Sequence, residues 1–232
     1  WRFAFGIVAL FGLLAFTAMT AWLPHLKPLP DTGVRRQFGF LHHKEPWLIY
    51  TGVFFGQASV YCWLSYIEPV MTDITGFSAQ AMTWVMMLAG AGMVTGNAIA
   101  GKLADRYRAS YVTGWVAAIL VVVMPAIYLC AAMKVPSLLL MFTATAGLFA
   151  IGGPLQYLIV KYAKGGEMLG GAGIQIAFNV SNAVSASLGG LVIKEGFGLA
   201  SPALLGVPFA VIGATALFAL YTLYLCCHQT IL

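Results

Sequence analysis

The sequence predicts an all-α membrane protein with seven transmembrane helices, and three observations carry that reading. First, hydrophobic residues fill 61% of 232 positions and charged residues only 8%, with mean hydropathy +0.89. A water-soluble domain carries about 25% charged residues, because water must wet most of its surface. So little charge cannot cover a water-facing exterior, and lipid must replace water over much of it. Second, the apolar residues gather into stretches of the length a bilayer demands, about 20 helical residues for a core of roughly 30 Å. Third, the basic residues fall mostly on one side of those stretches. In lipid the backbone must satisfy its own hydrogen bonds, which leaves helices or closed barrels. Runs this long are helices, since a barrel strand alternates over only about ten residues.

The stretches are 3–23, 47–67, 79–101, 111–133, 136–160, 168–193 and 203–227. The first opens on Trp1-Arg2-Phe3 without Met, at the edge of a span, and the chain is expected to continue upstream. Residues 24–46 hold Pro24, Pro28, Pro30, Asp31 and Gly33, then the basic amphipathic run Val34-Arg35-Arg36-Gln37-Phe38-Gly39-Phe40-Leu41. That run is expected on the membrane surface, Phe38 and Leu41 inward and the arginines toward headgroups. Pro46 ends it, and Trp47 and Tyr50 open the second span as interface anchors.

Polar residues inside spans are costly and therefore informative. In the second span Gln57, Tyr61, Ser65 and Glu68 line one face. In the third, Gly92-x-x-x-Gly96 lets two backbones approach closely. The surrounding Gly90–Gly96 run is no nucleotide loop, because it lies within an apolar helix and follows no strand. Gly101-Lys102-Leu103-Ala104-Asp105-Arg106-Tyr107-Arg108 joins spans three and four, with Gly101 expected to permit a tight turn. Asp105 can sit at the positive end of a neighbouring helix, forming with Arg106 and Arg108 a latch; an ordinary charged turn explains the spacing equally well. Gly152-Gly153-Pro154 is expected to bend span five before Gln156 and Tyr157. In span six Gln175, Asn179 and Asn182 recur at i, i+4 and i+7 and share a face. Such amides, phenols and hydroxyls suit a hydroxylated or amphipathic solute, although membrane amides also join helices, at about 0.6 kcal/mol each.

Orientation follows from the loops. Those after spans one, three and five hold Lys27, Arg35, Arg36, Lys44, Lys102, Arg106, Arg108, Lys161 and Lys164, against Arg2, Lys134 and Lys194 opposite. The richer side is cytoplasmic by the positive-inside rule, which puts the C-terminus inside.

Several functions are excluded or disfavoured. The scattered basic residues form no continuous stripe for nucleic acid. His25, His42, His43 and His228 lie in loops or at the terminus, without a catalytic partner, and adjacent His42 and His43 diverge on a helix. No metal or cofactor is called for, and Cys62, Cys130, Cys226 and Cys227 read as buried small hydrophobes. A seven-helix receptor or sensor is the alternative class; a retinal protein would need a lysine in 203–227, which has none.

The Gly101–Arg108 run resembles the loop signature of the major facilitator superfamily, in the copy between its eighth and ninth helices. Trp1-Arg2-Phe3 resembles the start of that family's sixth helix. Pro46-Trp47-Leu48-Ile49, Ala163–Gly170 and Gln175–Asn179 are similar to members of its drug–proton antiporter branch. The resemblance implies that residues 1–23 end an N-terminal half, 24–46 form a cytoplasmic linker, and 47–232 form the C-terminal six-helix bundle. It implies a bacterial inner-membrane efflux transporter working by alternating access, proton-coupled, on a sugar or drug-like solute, its partner being the N-terminal half. Gln57, Tyr61, Ser65, Gln156, Gln175, Asn179 and Asn182 would then face the cavity. Asp105 would dock on the fifth helix, and residues Gly165 to Gly171 would receive the matching carboxylate. Glu68 is the span carboxylate available for proton coupling, though a helix-end charge is the plainer reading.

Overall fold

A computed structural model describes residues 2–22 and 37–229. Among the described residues every apolar stretch is a long helix: α1 (Arg2–Trp22), α2 (Lys44–Leu64), α3 (Met82–Arg106), α4 (Ala109–Cys130), α5 (Lys134–Tyr162), α6 (Glu167–Lys194) and α7 (Pro202–Gln229). Helix α1 belongs to a unit of its own, residues 1–33. From Val34 onward the chain forms a second unit, the six-helix bundle. Most of the expected linker, residues 24–36, lies outside the described residues.

All of these helices except α2 are long and apolar enough to cross a membrane on length and composition alone. Helix α2 falls short because Gln57, Ser59 and several aromatic and small residues replace aliphatic ones. It can do so because protein rather than lipid surrounds it: 11 of its 21 residues are buried. It packs on α7, α6 and α5, while α3 lies on α5 and α4 lies between α5 and α7. Within the bundle, α2 to α7, consecutive helices run antiparallel. Gly52 and Gly56 of α2 meet Leu217 and Gly213 of α7 in opposite order, whereas Gly92 and Gly96 of α3 meet Phe142 and Ala146 of α5 in the same order.

That α3–α5 seam is backbone on backbone. A Cβ built on Gly96 would lie 2.5 Å from the carbonyl carbon of Ala146 and 2.6 Å from its Cα. One built on Gly92 would lie 2.8 Å from the carbonyl oxygen of Phe142. Here the close approach read from Gly92-x-x-x-Gly96 is present in the structure.

Two expectations need correction. Gly101 makes no turn: it is helical, within α3, and the chain reverses at Tyr107 (φ −120°, ψ 169°) and Arg108 (φ −65°, ψ 129°). Two extended residues suffice, so no left-handed residue is required; among the described residues positive φ occurs at Gly76, Gly165, Gly196 and Gly198. The described part of the run before α2 is a turn packed on the bundle. Gly39–His42 is a 3-10 turn whose Phe40 is buried on the bundle beside Gly166, leaving Phe38 exposed and Leu41 half-buried. Trp47 joins this turn too, its indole N–H donating to the Leu41 carbonyl at 2.9 Å. Finally, span two stops at Leu64 instead of running to residue 67. A break at Tyr66 leads into a short turn Ile67–Pro69 and a π-helical turn Val70–Ile74. Pro69 lacks the N–H that would continue the α-helical ladder. By contrast α5 is one continuous helix through Gly152-Gly153-Pro154.

Candidate substrate-binding face

Helices α2 and α6 run side by side in the same direction and are joined by side chains donating to backbone. Tyr50 Oη donates to the Gly170 carbonyl at 3.2 Å, Ser181 Oγ to that of Phe54, and Tyr66 Oη to that of Ala186 at 2.8 Å. Small residues of α6 admit the tyrosines: a Cβ on Gly173 would meet the Tyr50 ring, and one on Gly190 the Tyr66 phenol. Of these three donors the sequence reading named only Tyr50, as an interface anchor. The signal was tyrosines on and just after α2 opposite a glycine-rich α6.

Along this seam the expected polar residues separate into two groups. Gln57 is 1% exposed, and its Nε2 donates to the Leu148 carbonyl of α5 at 3.1 Å. Its Oε1 is buried without a hydrogen-bond partner among the described residues. Gln57 therefore fastens α2 to α5 and does not share an open face with Tyr61. The physical reason is drift: a four-residue step turns about 40° past a full helical turn, and α2 has protein neighbours on both sides of that stripe.

The other residues lie on or beside α6. Tyr61 is half-buried, packs edge-on against Phe178 with ring centroids 6.0 Å apart, and interacts with the Asn182 side chain. Asn182 is half-buried, its Oδ1 enclosed and without a hydrogen bond. One turn earlier Asn179 is exposed and donates to the Gln175 carbonyl at 2.8 Å, with Gln175 exposed in turn. From α5, Gln156 reaches the same strip: its Nε2 lies 2.9 Å from where a Cβ on Gly171 would be. Gly171 to Asn182 spans about 16 Å at 1.5 Å per residue, so Gln156, Gln175, Asn179, Asn182 and Tyr61 mark one polar strip. Ser65 is exposed just beyond, donating to the Tyr61 carbonyl at 2.8 Å. A further amide, Asn97 of α3, is exposed beside Gly153 of α5 and was missed, although an amide in an apolar span was a readable signal.

The strip lies on the helix with the least buried span in the bundle. Only five of the 28 residues of α6 are buried, all of them on the side facing its neighbours in the bundle or small enough to be covered by them. The charged loop residues are elsewhere. Asp105, Arg106 and Arg108 are exposed after or at the end of α3, and a Cβ on Gly101 would meet open space. Glu68 is exposed beyond the break that ends α2. At the start of α6, Glu167 Oε1 accepts a hydrogen bond from the Gly165 N–H at 2.9 Å.

With an apolar helical bundle and a polar strip on one helix established, comparison with known proteins assigns the family. The sequence model of the Major Facilitator Superfamily matches residues 1–170. The chain belongs to the major facilitator superfamily. Among superfamily relatives, it is 40% identical to the putative transporter AraJ of Escherichia coli (strain K12), over 95% of this chain and 57% of that protein. It is 28% identical to the uncharacterized MFS-type transporter YfhI of Bacillus subtilis (strain 168), over 84% of this chain and 49% of the relative. It is 27% identical to the inner membrane transport protein YdhP of E. coli (strain K12), over 95% of this chain and 56% of the relative. The chain thus spans about half the length of the curated relatives it matches. Membership in a family of transporters favours transport over the receptor alternative.

Proposed function

We propose that the chain is the C-terminal part of a secondary active transporter that moves a small hydroxylated or amphipathic solute by alternating access. The observation that carries this reading is the strip of Tyr61, Gln156, Gln175, Asn179 and Asn182 on and beside α6, a helix left largely uncovered by the bundle. Hydrogen-bonding groups at membrane depth are expensive unless a partner meets them, and among the described residues the Asn182 amide oxygen has no hydrogen-bond partner. A solute hydroxyl or amine bound between this face and an N-terminal half would supply one. Gln57, turned toward α5, is left out of the binding set, and Ser65 stands at its edge.

Substrate class, efflux direction and proton coupling rest on the resemblance to the drug–proton antiporter branch, with a sugar or a drug-like compound as cargo. The basic loops after α1, α3 and α5 support a cytoplasmic C-terminus, and a relative named as an inner membrane transport protein supports that membrane. Exposed Asp105, flanked by Arg106, is free to dock on an N-terminal half as a latch that opens when the two bundles rock. Glu68, outside the bundle core at the end of a span, is the weaker part of the coupling scheme; a carboxylate in the N-terminal half is the stronger candidate.

The test is solute flux in proteoliposomes containing the full-length transporter, with sugars and cationic amphiphiles as alternative cargoes. Asn182→Ala should weaken solute affinity by about two- to tenfold, the worth of one hydrogen bond, with little change in folding. Asp105→Asn should depress transport while leaving affinity and expression intact. Unchanged affinity in the first variant moves the site off α6, and unchanged flux in the second removes the latch.

A further inference from the structure

At the end of the bundle that carries the basic loops, α3, α4, α5 and α7 enclose a cavity of about 180 Å³. It equals roughly six waters at about 30 Å³ each, which is room for a phosphate group with its ester oxygens. Its polar walls are Arg108, Ser110, Lys161 and the tyrosines Tyr107, Tyr157 and Tyr162, and no carboxylate lines it. Ser110 is the informative residue. It is only 6% exposed, in the first turn of α4, yet among the described residues its hydroxyl has no hydrogen-bond partner. Its oxygen is not sealed off by protein and stays open to the cavity, where it can hydrogen-bond to a ligand. Lys161 likewise has no carboxylate within ion-pair distance among the described residues. Arg108 is held with its guanidinium 5.9 Å from the centre of the Tyr221 ring.

A second cavity, also about 180 Å³, lies between the same α3, α4 and α5, deeper in the bundle. Its walls are almost wholly apolar, among them Ile99, Leu103, Ile119, Ala146 and Ala150. Leu158 of the first cavity and Ala150 of the second are eight residues apart on α5, so the second lies about 12 Å closer to the membrane centre. A basic, hydroxyl-bearing cavity at headgroup depth thus stands above an apolar cleft at acyl-chain depth.

We propose that these two cavities form one binding site for an anionic phospholipid. The phosphate sits among Arg108, Ser110 and Lys161, and one acyl chain lies in the cleft between α3, α4 and α5. The α4 N-terminus adds its positive dipole end to the phosphate side. The neighbouring cavity, lined by Glu45 with His43, Lys161 and Lys164, contains a carboxylate, outweighed there by the two lysines. The site is independent of what the transporter carries. Its position on the α3–α4 connection, next to Asp105, would let lipid charge bias the same loop that the latch uses.

Native mass spectrometry of the delipidated protein, titrated with phosphatidylglycerol and with phosphatidylcholine of the same acyl chains, tests this. Phosphatidylglycerol should bind at least tenfold more tightly. Lys161→Gln should weaken it about fivefold, the worth of one basic residue at an anionic surface, and Lys161→Arg should restore it. Thr143→Trp, which fills the mouth of the apolar cleft at an exposed position, should weaken both lipids. Inorganic phosphate at millimolar concentration should not displace the lipid. Equal binding of the two lipids, or an unchanged preference in Lys161→Gln, overturns the proposal. Displacement by inorganic phosphate also overturns it, by showing an anion site without a lipid one. The lipid preference of the unsubstituted protein decides the matter even if a variant fails to fold.

Discussion

Adding one methyl group to Gly96 is the sharpest probe of how this bundle is held together. In Gly96→Ala the new Cβ would stand 2.5 Å from the carbonyl carbon of Ala146 and on top of its oxygen. Carbon atoms at rest approach to about 3.5 Å, so α3 and α5 must part by about 1 Å. Both obstacles are backbone, so no side chain can swing aside, and the cost falls at or above the upper end of the usual overpacking range, about 3 kcal/mol. For a domain of this size each kcal/mol lowers the midpoint by about 2–4 °C, which gives a loss of roughly 6–12 °C. Gly90→Ala, six residues earlier on the same helix, is the matched control. Nothing lies within 4 Å of the Cβ it would add, and alanine is the better helix former by about 0.5–1 kcal/mol. Thermal unfolding of both variants in detergent, followed by size-exclusion fluorescence, should show Gly96→Ala falling and Gly90→Ala level or slightly higher. Equal midpoints would mean that α3 and α5 do not meet backbone to backbone, and the packing described above would be wrong at its tightest seam.

Two other substitutions follow from the same geometry. Gln57→Leu removes one interhelical hydrogen bond, worth about 0.6 kcal/mol in membrane proteins, together with a buried, unpartnered oxygen whose desolvation costs about 1–3 kcal/mol. Its unfolding midpoint should be equal to or above that of the parent, with solute affinity unchanged; a large loss of affinity would return Gln57 to the binding face. Gly165, at φ +78°, sits where side-chain-bearing residues are strained. Gly165→Ala should cost about 1–2 kcal/mol and Gly165→Asn distinctly less, since Asn tolerates this region better; indistinguishable unfolding curves would show that the loop before α6 does not need the left-handed turn.

Much of this architecture was written in composition and spacing. The apolar stretches gave helices within a few residues of their observed ends, because a bilayer penalises every unsatisfied backbone group and leaves helix as the local solution. Gly92 and Gly96 announced a close seam, since a four-residue step returns small residues to one face. What spacing could not say was which partner a face meets. Gln57 and Tyr61 are four residues apart, yet one is sealed against α5 and the other opens beside α6. Gly101 looked like a turn residue because it stood where hydropathy ended, but helix α3 runs on to Arg106 on polar residues that extend beyond the apolar core. Phe40 is buried on the bundle before α2, a contact with the distant Gly166 that the local pattern could not show.

The sequence by itself determined the solvent, the helices, their alternating direction and the family, all of which depend on local chain properties or on short motifs. The tertiary structure alone decided which amides are fasteners and which remain available, and that Ser110, Lys161 and an apolar cleft stand in line. Those facts depend on contacts between residues far apart in the chain, and helical periodicity fixes a direction around one axis without fixing the neighbour that fills it.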